Sequence, residues 1–99
     1  MAHLLALRAR SDLDDIWEYI TVESGSEAVA DRLIDSITDR FDLLANWPRL
    51  GRARDDLRLG LRSYPVGDYI IFYRVQRRDV IIQRVLHARR NIERLIGGR

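Results

Sequence analysis

The chain has 99 residues, 46% of them hydrophobic and 32% charged, with no cysteine. That is one domain, residues 1–99, with enough apolar mass to fold alone, and it excludes a disulfide scaffold, a thiolate metal site and a disordered composition. Net charge is only +2, but residues 1–47 hold four arginines and ten acids (−6) while residues 48–99 hold thirteen arginines and five acids (+8). A basic half of this kind suits an acidic polypeptide or a nucleic acid. All seventeen basic residues are arginine, whose fork pairs with carboxylate or phosphate in a fixed geometry. A GC-rich genome would give the same enrichment. The opening Met1–Arg8 is too short an apolar run for a signal peptide or a membrane span. With no cysteine, a cytoplasmic location and no membrane partner are expected.

In chain order, His3 to Arg8 reads as a first strand. Ser11 reads as the cap of a helix, with Asp14 as its capping-box partner. Leu13, Ile16, Trp17 and Ile20 then repeat at helical spacing. Gly25 breaks that helix and Ser26 caps the next. Ala30, Leu33, Ile37, Phe41 and Leu44 form a second apolar stripe, and Pro48 ends it because proline cannot continue a helix. Two amphipathic helices with a short join predict a helical hairpin. Gly51 falls in a turn, and residues 52–58 read as a charged loop. Leu59 to Tyr64 is a second strand, followed by a turn at Pro65-Val66-Gly67-Asp68. A third strand begins at Tyr69, and a fourth runs from about Val80 to His87. Asn91 to Ile96 reads as a short final helix, and Gly97-Gly98-Arg99 as a frayed end. Strand, helix, helix and three strands make an α+β domain, an antiparallel sheet packed on a helical hairpin.

The last two strands carry the most information. A turn centred between Arg77 and Arg78 pairs Val75 with Val80, Tyr73 with Ile82, Phe72 with Gln83 and Ile71 with Arg84. Opposed residues share a sheet face. One face then holds Tyr69, Ile71, Tyr73, Val75, Val80, Ile82 and Leu86, interrupted by Arg84. The other holds Ile70, Phe72, Ile81 and Val85, with Arg74, Gln83 and His87. A sheet apolar on both sides needs cover on both sides. A chain this short is expected to supply one cover, leaving the second face as a groove for another polypeptide.

Chemistry-bearing patterns are sparse. His3 and His87 stand far apart with no zinc spacing, so no metal is expected. No glycine-rich loop follows a strand, and no cofactor is expected. No serine has a histidine close in sequence. What remains is a set of arginine, tyrosine and histidine around the sheet: Arg62, Tyr64, Arg74, Arg84, His87, Arg89 and Arg90. Such a set suits phosphodiester cleavage, with His87 as acid or base and arginines holding the developing charge. It suits equally a strand end with solvated arginines, or a rim that meets an acidic partner.

Several segments are similar to a known family. They are Ala9 with Asp12-Leu13, Ile16-Trp17-Glu18-Tyr19-Ile20, Pro48-Arg49-Leu50-Gly51 and Leu61-Arg62-Ser63-Tyr64-Pro65. Tyr69-Ile70-Ile71-Phe72-Tyr73-Arg74 and Arg84-Val85-Leu86-His87-Ala88-Arg89-Arg90 complete the set. In order and spacing the chain resembles the ParE branch of the ParE/RelE toxin superfamily of type II toxin–antitoxin modules. The resemblance implies the same fold, a non-enzymatic toxin that inhibits DNA gyrase and hence replication, and no DNA binding by the chain alone. It also implies a cognate ParD-like antitoxin, expected to be acidic and in part disordered until bound. The expected antitoxin groove is Ile70, Phe72, Arg74, Ile81, Gln83, Val85, His87, Arg89 and Arg90. The rival branch is the RelE-like ribosome-dependent mRNA endonuclease, for which Arg62, His87 and Arg89 would be the catalytic candidates. That branch typically has an arginine where this chain has Ile70, and lysines and a tyrosine near the C-terminus. This chain has no lysine, and no tyrosine after Tyr73.

Overall fold

The computed structural model describes residues 2–97. The expected frayed end at Gly98-Arg99 lies outside them. In chain order the elements are β1 (Ala2–Leu5), α1 (Leu7–Ser24), α2 (Glu27–Asn46), β2 (Arg52–Ala53), β3 (Arg62–Val66), β4 (Tyr69–Gln76), β5 (Asp79–His87) and α3 (Ile92–Ile96). One sheet runs in the order β1-β5-β4-β3-β2. The β2-β3-β4-β5 part is antiparallel, and β1 adds to β5 in parallel, which makes the sheet mixed.

Local chemistry explains most of the boundaries. Ser26 caps α2 by accepting from the Val29 amide, and Gly25 ends α1 in the left-handed region that suits glycine. Asn91 caps α3 by accepting from the Arg94 amide. The expected start of α1 is wrong. The helix begins at Leu7 after Ala6, with no side-chain cap, and Ser11 lies inside it. β1 is correspondingly shorter than expected. β3 starts three residues later than expected and includes Pro65 and Val66, so the turn is Gly67-Asp68 alone. Proline is tolerated there because β2 pairs only with Arg62 and Ser63, which leaves Pro65 on an open edge of the sheet.

The helical hairpin covers one face of the sheet. Ala9, Leu13, Ile16, Ile37, Phe41 and Leu44 meet Tyr69, Ile71, Tyr73, Val80, Ile82 and Val85 in a single core. Trp17 donates from Nε1 to Asp31 Oδ1 at 2.8 Å and ties the two helices together. His3 on β1 packs edge-on to Phe41 and lies 3.2 Å from the Asp42 carboxylate.

Near Phe72 the register departs from the simple turn-centred pairing. Val75 faces Val80 and Tyr73 faces Ile82 as expected, but Phe72 faces Arg84 and Ile71 faces Val85. Gln83 is the extra residue of a β-bulge. Beyond it every side chain of β5 changes face. Val85 joins the hairpin core, and Leu86 turns to the other side. Asp12 of α1 sits against this bulge. Its carboxylate accepts from Arg84 Nε (2.8 Å), Arg84 Nη2 (3.0 Å) and the Val85 amide (2.9 Å).

The second face is not left open. Leu57 and Leu61, from the compact loop before β3, close over Phe72 and Leu86 together with Ile96 of α3. Ile70, Ile92 and Leu95 pack at the margin. The expectation of an uncovered face fails because residues 54–61 fold back on themselves. The Arg54 amide donates to Leu61 O, and Arg58 Nη2 reaches Ile96 O at 2.9 Å, which joins loop to helix.

A third tie holds the segment after α2. Tyr73 Oη donates to Pro48 O and accepts from the Gly51 amide, both at 2.8 Å. A Cβ at Gly51 would stand 2.3 Å from that hydroxyl, so only glycine lets the loop pass. Burial pushes the Tyr73 phenol above its ordinary pKa and keeps the donating proton in place.

Two measurements check these ties. Asp12→Ala strands a mostly buried guanidinium and a strand amide. It should cost about 3–5 kcal/mol in urea unfolding, and the Asp12→Ala/Arg84→Leu double variant should recover part of that loss. Tyr73→Phe removes one donor and one acceptor and should cost about 1–3 kcal/mol. A loss below about 0.5 kcal/mol would mean that water replaces the hydroxyl.

Candidate functional site

The expected groove does not exist as one surface. Phe72 and Val85 are buried, Phe72 beneath the Leu57–Leu61 loop and α3, Val85 beneath the helical hairpin. Ile70 is half-buried at the edge of the same cluster as Phe72. These three residues therefore serve the fold. The physical reasons are the bulge at Gln83, which re-aims Val85, and the second cover that the chain itself supplies.

The other six expected residues divide between two openings and one strand pair. His87, Arg89 and Arg90 line an open cleft of ≈ 810 Å³ between α1 and the turn that joins β3 to β4. Tyr19, which is 60% exposed, and Ile16 form the α1 side, and Asp68 and Tyr69 form the opposite side. Burial, with Tyr19 and Asp68 nearby, raises the Tyr69 phenol above its ordinary pKa. Arg74 and Gln83 line a smaller pocket of ≈ 250 Å³ on the other face of the sheet. Ile81 is half-buried and pairs with the exposed Leu4 on that same face.

His87, Arg62 and Arg84 each have a structural partner. His87 ends β5, packs edge-on to Tyr69 with centroids 5.2 Å apart, and accepts from the Arg89 amide through Nδ1 at 3.1 Å. Arg62 donates to Gly51 O at 2.6 Å. Arg62 faces Tyr73 and His87 faces Tyr69, so they flank opposite ends of a four-residue step along β4, about 14 Å of strand. Arg89 lies beside His87 in the cleft, but Arg62 does not join them. Arg84 is held more firmly charged by its hydrogen bonds to Asp12. Among the described residues, no three His, Asp or Glu side chains converge as a metal site would need, and no helix is long and apolar enough to cross a membrane.

Sequence reasoning missed Asp12, Tyr19, Leu7, Arg8, Arg58 and Leu59. Tyr19 carried a signal, since it falls off the apolar stripe of its helix; Leu7 carried none, because it read as part of the first strand. Leu59 carried none, because it read as the start of a buried strand.

Comparison with known proteins fits this geometry. The family model described as ParE toxin of type II toxin-antitoxin system, parDE, matches residues 4–92. Toxin ParE1 of Caulobacter vibrioides is 38% identical over 93 residues, covering 94% of this chain and 95% of that protein. Toxin ParE3 of the same organism is 37% identical over 86 residues, covering 87% and 85%. Toxin ParE1 of Mycobacterium tuberculosis is 33% identical over 93 residues, covering 93% and 94%. A chain of the chromosomal ParDE TA system from P. aeruginosa superposes with a TM-score of 0.77 at 21% identity, over 88% of this chain and 95% of that one. With these matches running along most of its length, the chain belongs to the ParE toxin family of type II toxin–antitoxin systems.

Proposed function

We propose that this ParE-family toxin acts by binding and not by catalysis, that its target is DNA gyrase, and that a ParD-like antitoxin neutralises it in the cytoplasm. The observation that carries the non-catalytic reading is the separation of Arg62 from His87 and Arg89. Phosphodiester cleavage by these three candidates would need all of them within about 3 Å of the reacting atoms. His87 and Arg89 share a cleft, but Arg62 stands about 14 Å of strand away, engaged with Gly51 O, and His87 is engaged with the Arg89 amide. Ile70 adds to this. Where the nuclease branch puts an arginine, this chain has an apolar residue packed at the margin of its second core.

The cleft beside α1 supports the antitoxin reading. It has apolar walls at Ile16, Ile20 and Leu33, a polar mouth at Tyr19 and His87, cations at Arg89 and Arg90, and carboxylates at Asp15 and Asp68. An amphipathic segment that orders on binding fills the walls, with its acidic residues where it meets the two arginines. Gyrase as the target rests on the family, and no residue is assigned to it.

Expression of the chain alone, with DNA and protein synthesis followed separately, tests the proposal. Arrest of replication with DNA damage is expected, together with inhibition of supercoiling by purified gyrase. Immediate arrest of translation with ribosome-dependent RNA cutting would replace it with the mRNA endonuclease. His87→Gln should keep most of the toxicity, because glutamine accepts a hydrogen bond but shuttles no proton. A folded His87→Gln variant that loses ~10²–10⁴-fold activity would point to acid–base catalysis.

A further inference from the structure

We propose that the pocket bordered by the start of α1, the Leu57–Leu61 loop and α3 is a docking site for an acidic polypeptide segment that inserts a leucine-sized side chain. This deepens the binding-toxin reading by giving the chemistry of one contact surface.

The pocket lies on the second sheet face, between the end of α3 and the start of α1. Leu7, Leu59, Leu61 and Leu95 wall it, and its volume of ≈ 250 Å³ exceeds what one aliphatic side chain fills. Leu61 is a core residue, but Leu7 and Leu59 are 85% and 86% exposed at its mouth. Such exposure of two leucines beside one opening marks an interaction site more than a solvated surface. Leu4, 51% exposed, and its neighbour Ile81 continue the apolar surface along the sheet.

Charge identifies the occupant. Arg8, Arg58, Arg74 and Arg84 line the pocket, and none of its lining residues is acidic. Arg84 is taken by Asp12, and Arg58 has one donor on Ile96 O. Arg8 and Arg74 have no acidic partner among the described ion pairs. Arg8 also stands in the first turn of α1, where the helix dipole disfavours a cation. Its position costs stability, which the fold gives no reason for and an anionic partner would offset. No aromatic ring lines the pocket. A nucleic acid therefore finds phosphate partners but no surface on which to stack a base, whereas an acidic peptide with an aliphatic anchor uses both the rim and the walls.

The test uses the full chain and a fluorescein-labelled synthetic peptide of repeating Glu-Glu-Leu. Controls are the same peptide with serine for leucine and a single-stranded oligonucleotide of equal charge. Methyl chemical shifts locate the site. The leucine peptide should bind with a strong salt dependence and shift the methyls of Leu7, Leu59 and Leu95. Leu59→Glu and Arg8→Glu should each weaken it at least about tenfold with unchanged thermal unfolding, since both residues are exposed. Equal binding of the serine peptide would overturn the proposal, as would tighter binding of the oligonucleotide at the same methyls. So would shifts confined to the cleft beside His87, or full binding by Leu59→Glu. No gyrase is present, so the titration fails or succeeds independently of supercoiling inhibition by the parent chain.

Discussion

The carboxylate of Asp12 holds the two layers in register. β1 ends at Leu5, and the last bond it gives toward β5 is from the Ala6 amide to Ile82 O. Past that point β5 runs on for five residues with no neighbouring strand on that side. An unpaired strand edge is a liability that folds must manage. Here a helix side chain stands in for the absent strand by taking the Val85 amide. The same carboxylate takes both donors of the Arg84 fork, so the bulge that reverses the remaining side chains of β5 is fixed from α1. Without the reversal, Arg84 would face the hairpin core and Leu86 would displace Val85. A charged guanidinium in that core has no stable solution short of refolding the contact.

That one interaction explains how a small sheet can be apolar on both faces. The hairpin face needs Tyr69, Ile71, Tyr73, Val80 and Ile82 in one row, and plain alternation provides them. Continuing the alternation would put Arg84 next in the row. The extra residue at Gln83 skips it. Val85 then fills the hairpin side, and Phe72 and Leu86 gather under Leu57, Leu61 and Ile96. The second core is small, and it is closed by a five-residue helix and a loop. Elements with so few buried contacts open at lower free energy than the hairpin core. The stable layer and the adaptable layer are thus on opposite sides of the same strands.

How much of this is legible in the sequence depends on the length scale of the signal. The hairpin helices, the caps at Ser26 and Asn91, the break at Gly25 and the stop at Pro48 are written in residues within four positions of the feature. So is the Val75–Val80 turn. The fold class follows from their order. The bulge at Gln83 is written in Asp12, more than seventy positions away, and no periodicity within β4 or β5 reports it. The second cover is hidden in the same way. Arg54-Asp55-Asp56-Leu57-Arg58 is polar enough to read as solvated loop, and Leu57 matters only because the backbone turns to bring it over Phe72. Of the expected groove, the exposed arginines and His87 lie at openings, while the apolar members Phe72 and Val85 are consumed by the fold. A hydrophobic residue on a strand announces burial but not by whom.

The arrangement of arginines bears on binding against catalysis. A catalytic arginine is held by packing and hydrogen bonds so that its donors meet a charge that forms only in the transition state. The arginines held that way, Arg62, Arg84, Arg58 and Arg54, spend donors on Gly51 O, Asp12, Ile96 O and Asp56. The arginines left at the openings, Arg8, Arg74, Arg89 and Arg90, are on exposed positions, where long side chains keep their rotamer freedom. Freedom of that kind is a cost in catalysis, which needs fixed geometry. It is much less of a cost in recognising an acidic chain, because many side-chain arrangements give a similar attraction and the approach itself is guided at long range. The held arginines build the scaffold and the free ones stand at the openings, and this division favours a surface that grips a polypeptide over a site that cuts RNA.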